Sequence, residues 1–265
     1  MGATALAAAN LNHTYPARGR GPALPVLDDV SVAVGQGEVV AILGPSGCGK
    51  STLLNLLAGL LTPDTGSVLL NGRDIAGISG HLAYMMQDDL LLPWRTVLDN
   101  VVLGPELARS GRRAARERAL GLMPTFGLAG FENYFPHALS GGMRQRAAFM
   151  RTVLCDRDVI LLDEPFAGID ALTRNALHEW FLGLCEQFDL TTLVITHDPE
   201  EAVFLADRIY ILSPRPTSVR AVVEIDLPRP RHREIVTSAE FARLKGEVLR
   251  PLWADLADPV ATEVR

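Results

Sequence analysis

Two kinds of hydrophobic pattern alternate along the chain. Short unbroken apolar runs predict buried strands: Glu38-Val39-Val40-Ala41-Ile42-Leu43, Asp158-Val159-Ile160-Leu161-Leu162, Thr191-Thr192-Leu193-Val194-Ile195 and Arg208-Ile209-Tyr210-Ile211-Leu212, the last closing the main strand set. His81-Leu82-Ala83-Tyr84-Met85-Met86 predicts one more. Ahead of these, from about Leu6 to Val34, two β-rich runs flank a proline- and glycine-rich turn between Tyr15 and Pro25 and predict an edge hairpin. Ser67-Val68-Leu69-Leu70 is a strand between the turns at Thr62-Pro63-Asp64-Thr65-Gly66 and Asn71-Gly72.

Helical spacing marks residues 51–58 and, beyond the strand over 81–86, the segments 96–108, 112–123 and 143–155, which have no strand between them. The expected architecture is α/β: a strand-rich core with an N-terminal antiparallel β region and an inserted α-helical subdomain over about 88–157. The core is expected to span 1–213. Residues 214–265 are expected to form a short tail, with an amphipathic helix from Phe241 to Leu256 interrupted near Pro251.

Composition narrows the class. Hydrophobic residues at 48% and charged residues at 21% are ordinary for a folded globular chain of 265 residues. The net charge of −6 gives no reason to expect a nucleic-acid partner. Cys48, Cys155 and Cys185 lack metal-ligand or paired spacing, which fits a reducing cytoplasm. No stretch approaches the roughly eighteen apolar residues that a membrane span requires. The apolar start, Met1 to Ala9, lacks the basic region of a secretory signal and is expected to lead into the first strand.

The chemistry centres on Gly44-Pro45-Ser46-Gly47-Cys48-Gly49-Lys50-Ser51-Thr52, a complete G-x-x-x-x-G-K-[ST] phosphate-binding loop between a predicted strand and a predicted helix. Its glycines allow successive backbone N–H groups to turn inward around phosphates, and the helix N-terminus adds partial positive charge. Lys50 can reach the terminal phosphates, and Ser51 is placed for Mg²⁺. A second capped start, Leu139-Ser140-Gly141-Gly142, precedes another helix; taken alone it is an ordinary N-cap.

Asp163-Glu164 follows a buried strand, where beside a phosphate loop Asp163 can hold a Mg²⁺ water shell and Glu164 can polarise the attacking water. Gln87 and His197 also follow predicted strands, at the carboxyl edge where open α/β sheets bind ligands. His197 can contact a γ-phosphate or orient water, whereas His13, His81, His137, His178 and His232 read as structural or solvated. Tyr15 is open to two readings, strand packing or a platform under adenine. Trp94, beside Arg95, is open to local packing or docking. The run Arg112-Arg113-Ala114-Ala115-Arg116-Glu117-Arg118 reads as a solvated helix face.

Taken in order, the phosphate loop, the Leu139 to Gln145 run, Asp163-Glu164 and His197 make the chain resemble the ATP-binding subunit of ATP-binding-cassette transporters over roughly Leu6 to Pro214. That resemblance implies a P-loop NTPase fold with a RecA-like core, ATP and Mg²⁺ as cofactors, and two copies sandwiching two ATP molecules. It places Tyr15 under adenine, residues 44–52 around the phosphates, and Ser140, Gly141 and Gly142 on the γ-phosphate held by the second copy. It makes Glu164 the catalytic base, His197 the holder of γ-phosphate and water, Gln87 a sensor of Mg²⁺ and the membrane partner, and Asp170 part of an inter-subunit loop. Ser51, Gln87 and Asp163 face the metal. At Ala167-Gly168-Ile169-Asp170 the chain departs from the G-A-L-D or S-A-L-D common in such subunits.

Leu91 to Val101, Asp163-Glu164-Pro165-Phe166 and Asp170 to Arg174 look like the nitrate, sulfonate and taurine importer group, and Met143 to Thr152 like importers of thiamine-precursor pyrimidines. The implied setting is the cytoplasmic face of the inner membrane. The implied partners are permease subunits and, indirectly, a solute-binding protein. The competing reading is a soluble, non-transport cassette ATPase acting on nucleic acid or ribosomes; such proteins commonly carry tandem cassettes or coiled-coil insertions, and this chain has one cassette and no such insertion.

Overall fold

The computed structural model describes residues 3–17, 19 and 21–256. In chain order its elements are β1 (Thr4–Tyr15), β2 (Leu24–Gly35), β3 (Val39–Leu43), α1 (Lys50–Leu57), β4 (Thr65–Leu70), β5 (Arg73–Asp74) and β6 (Ala83–Met85). Four helices follow: α2 (Val97–Val101), α3 (Leu103–Leu107), α4 (Arg112–Leu122) and α5 (Gly141–Val153). The chain then alternates through β7 (Val159–Asp163), α6 (Ala171–Phe188), β8 (Thr191–Thr196), α7 (Pro199–Leu205) and β9 (Arg208–Leu212), and ends with β10 (Val219–Glu224) and α8 (Ala239–Leu256).

The strands form two sheets. One, in the order β2-β1-β4-β5, is antiparallel; the other runs β10-β9-β3-β8-β7-β6. All neighbours in the second sheet pair in parallel except the edge strand β10. Because side chains alternate across a strand, β3 faces two cores at once. Val40 and Ile42 pack toward the antiparallel sheet and α1, while Val39, Ala41 and Leu43 pack toward α5, α6 and α7. Every residue of β3, β7 and β8 is buried, which explains why these strands read as unbroken apolar runs rather than alternating ones.

The register decides where loops emerge. Leu43 lies opposite Thr196 and Ile211, and Asp163 lies opposite Ile195. The residues after β3, β7 and β8 therefore leave the sheet along a single carboxyl edge.

Several expectations are corrected. The hairpin partner β1 is interior to its sheet, between β2 and β4. The strand expected over 81–86 is only Ala83–Met85. The helix expected over 96–108 is split into α2 and α3, since Pro105 has no amide hydrogen for the carbonyl four residues back. Helix α5 starts two residues before Met143, because Ser140 accepts from the Met143 amide and makes Gly141 the first helical residue. The main sheet does not close at Leu212: β10 adds to β9 as an antiparallel edge, so the chain beyond residue 213 contributes to the core. Helix α8 runs through Pro251 without interruption, one backbone rung short.

The basic run of α4 is paired with carboxylates on its own helix and on neighbouring segments. Arg113 meets Glu117 at 2.9 Å, Arg118 meets Asp156 at 3.2 Å, and Arg116 pairs with Asp99. Arg116 is the main cause holding the Asp99 carboxyl below its ordinary range.

Candidate active site

The loop after β3 is shaped by its glycines. Gly47 has φ 75° and Gly49 φ 123°, backbone states that a side chain rarely adopts. A Cβ on Gly49 would also come within 2.6 Å of Val26 Cγ1. Gly49→Ala is therefore expected to destabilise the fold by about 1–3 kcal/mol and to weaken nucleotide binding. A thermal melt matching the parent's would contradict that expectation. The loop is closed from below by Thr217, whose hydroxyl donates to the Cys48 carbonyl.

Lys50 is buried, and its ammonium donates to the Gly44 and Pro45 carbonyls at 2.8 and 2.9 Å. It is thus held at the mouth of the loop as the charge that would meet a phosphate. Cys48 is buried, and burial pushes its thiol up against the opposing pull of Lys50. Tyr15 is half-buried, edge-on to His13 at 4.8 Å, and its hydroxyl lies 3.3 Å from the Thr52 hydroxyl. Strand β1 therefore brings its aromatic to the first turn of α1.

Asp163, the last residue of β7, is buried and hydrogen-bonded by Ser51; Tyr84 of β6 also donates to it, at 3.4 Å. Burial raises its carboxyl above the ordinary range, with Glu164 adding to the rise and Lys50 opposing it. Ser51 and Asp163 are hard oxygen donors placed together, which fits Mg²⁺. Among the described residues no cluster of three or more His, Cys, Asp or Glu could cage a metal alone.

Glu164 takes φ 45°, unusual for a residue with a side chain, and its amide donates to the Ile195 carbonyl at 3.0 Å. The turn points its carboxylate back to His197, whose Nδ1 lies 3.0 Å from Oε2. Beta-strand register alone brings together this pair, which is 33 residues apart in sequence. Gln87 lies two residues beyond β6, exposed, at the same sheet edge.

Ser140, Gly141, Gly142 and Asp170 sit together elsewhere. Asp170 caps α6 by accepting from the Thr173 amide at 3.0 Å, and the Thr173 hydroxyl, ahead of that amide, holds its carboxyl below the ordinary range. A Cβ on Gly142 would lie 3.0 Å from Thr173 Cγ2, so the two capped helix starts abut. Ser140 and Asp170 make no described hydrogen bond to residues 44–52.

The sequence reading missed the ties between these parts. Gln145 of α5 donates to the Pro165 carbonyl, next to Glu164. Arg144 pairs with Asp89 at 3.0 Å, and Arg151 donates to the Asp89 and Leu90 carbonyls at 2.6 and 2.7 Å. The segment after Gln87 is thereby bound to the helix that Ser140 caps. Nothing in the spacing signals these contacts, since an arginine on a helix faces its partner only once the packing is known.

Comparison with known proteins gives the family. Residues 27–167 match the ABC transporter family. The chain is 39% identical over 234 residues to the formylaminopyrimidine import ATP-binding protein of Halalkalibacterium halodurans, covering 88% of this chain and 91% of that one. It is 46% identical over 195 residues to the taurine import ATP-binding protein of Yersinia pestis, covering 74% and 76%. Its fold superposes on the dimeric structure of a bacterial ABC transporter cassette with a TM-score of 0.71 and 28% identity, over 84% of this chain and all of that one. With the phosphate loop, the Asp163-Glu164 turn and His197 gathered at one sheet edge, and with these relatives, the chain belongs to the ABC transporter family as an ATP-binding subunit.

Proposed function

We propose that this chain is the ATP-hydrolysing subunit of a membrane importer of small solutes. The observation that carries the reading is the convergence at one sheet edge of Lys50, Asp163 and the Glu164–His197 pair, 3.0 Å apart. Lys50 would exchange its two backbone carbonyls for phosphate oxygens, and Ser51 and Asp163, with Gln87 from the end of the neighbouring strand, would hold Mg²⁺. Magnesium, when bound, offsets charge on the phosphate oxygens. Water attacks the γ-phosphorus as the bond to the β-phosphate oxygen breaks; Glu164 accepts a water proton, and His197 orients that carboxylate and the γ-phosphate.

In this reading Tyr15 packs under adenine, and Ser140, Gly141, Gly142 and Asp170 act on the nucleotide of a second copy. Within one chain they lie with α6 and make no described bond to the phosphate loop, which favours that division. Among the described residues no helix is long and apolar enough to cross a membrane. In this reading the subunit acts on a permease from the cytoplasmic face, which the import ATP-binding proteins among its relatives support. Leu90, 53% exposed, and Trp94, 71% exposed, follow Gln87 by three and seven residues in the chain and suit that contact.

The relatives' names, which specify taurine, aliphatic sulfonates and formylaminopyrimidine, support a cargo of that kind; nitrate as a further cargo and delivery by a solute-binding protein are part of the proposal. Reconstitution with the permease in proteoliposomes tests this: ATP-dependent uptake of taurine, nitrate or formylaminopyrimidine is expected. Hydrolysis stimulated by nucleic acid or ribosomes and not by the permease would contradict it.

A further inference from the structure

The basic run Arg229-Pro230-Arg231-His232-Arg233 has no part in the nucleotide chemistry, yet the fold places it against the helices that begin at the active edge. Arg231, only 2% exposed, donates to the Phe204 and Ala206 carbonyls at 3.0 and 2.7 Å, closing the carboxyl end of α7. Arg229 pairs with Asp207 at 2.8 Å, and Asp207 in turn accepts from the Val39 amide at 2.9 Å, where the strand into the phosphate loop starts.

Arg233 joins two helices. Its amide donates to Glu179 of α6 at 2.7 Å, and its guanidinium meets Glu200 of α7 at 2.8 Å while lying 5.5 Å from the centre of the Phe204 ring. Lys245 of α8 takes the other oxygen of Glu200, also at 2.8 Å. Glu200 lies in the first turn of α7, three residues after His197, and its amide is bound by the capping Asp198 at 2.9 Å. On the inner side of the same turn, Glu201 faces His178 of α6 at 3.3 Å, with both side chains buried.

We propose that Arg233 and Lys245, acting through Glu200, are positioning residues that hold α7, and with it His197, at its working distance from Glu164. The chain after β10 is then a brace on the catalytic loop. This rests on the role given to His197 above. An isolated exposed ion pair does little. Here two cations from separate elements share one partly buried carboxylate, and the pair fixes where a short helix starts rather than how firmly the domain folds.

Steady-state ATP hydrolysis by the full chain tests the brace, with His197→Ala run in parallel. Glu200→Gln is expected to lower kcat by about 3–10-fold with KM for ATP moved less than about twofold and the melting midpoint little changed. Lys245→Arg is expected to keep about half the parent kcat or more, and Lys245→Met to lose most of what Glu200→Gln loses. Adding Lys245→Met to Glu200→Gln should change little further, since its partner is already gone.

Parent-like kcat in Glu200→Gln overturns the brace. So does a kcat loss matched by a rise in KM and a fall in melting midpoint, the mark of general loosening. If Glu200→Gln does not fold, Lys245→Met, at a side chain 37% exposed, decides on the same readouts. His197→Ala with full kcat overturns the assignment of His197 and the brace with it; an impaired His197→Ala beside a fully active Glu200→Gln overturns the brace alone.

Discussion

Glu164→Gln is expected to bind ATP, close into a dimer and stop there. The amide keeps the size of the carboxylate and still offers an oxygen to His197, 3.0 Å away, so the site's geometry survives. What it loses is a group able to accept the water proton, a contribution of about 10²–10⁴-fold to the rate. Phosphate release should fall by that order, while light scattering with saturating ATP shows a dimer that the parent protein holds only transiently. A monomer under those conditions would sink the sandwich. Hydrolysis at the parental rate would remove Glu164 as base.

The second expected result concerns which copy supplies which part. Lys50→Ala removes the ammonium now held by the Gly44 and Pro45 carbonyls and leaves the phosphate loop without its cation. A charged hydrogen bond of this kind contributes about 1.5–3 kcal/mol, so ATP affinity should fall roughly 10–100-fold. Ser140→Arg leaves that loop intact and spoils the surface offered to a partner. Each variant alone should be nearly inactive. Mixed in equal amounts they should recover about a quarter of the parental sites, because half the dimers are mixed and each mixed dimer contains one seam with both parts sound. Failure to recover any activity would mean that Ser140 does not act across two copies.

Much of the active edge was legible without coordinates. The unbroken apolar strands and the glycine pattern before Lys50 each carry their own local signal: two-sided burial in the first case, a backbone that must turn inward in the second. Asn71-Gly72 likewise turns as its residues demand, at φ 49° and 79°. Elements set by competition between local and distant forces were harder to read. Pro105 broke a helix whose apolar spacing continued through it, whereas Pro251 did not break one that packs on α7.

Strand β10 shows why the end of the core was misplaced. Its side chains alternate between half-buried and exposed positions, as an edge strand's do, so it lacks the apolar run that marked the other members of its sheet. The same holds for the basic connector. Three arginines around a proline carry no local signal of their partners, and only the fold supplies the carbonyls of α7 that take up Arg231 and the carboxylates that take up Arg229 and Arg233.

By itself the sequence determined which residues could do chemistry, because phosphate binding and water activation demand particular residue types at short spacings within one stretch. The tertiary structure decided which of them meet. Strand register set Glu164 against His197, and helix packing put Gly142 beside Thr173 and two cations on Glu200. Contacts between residues far apart in the chain depend on how whole elements pack, and no local pattern records that.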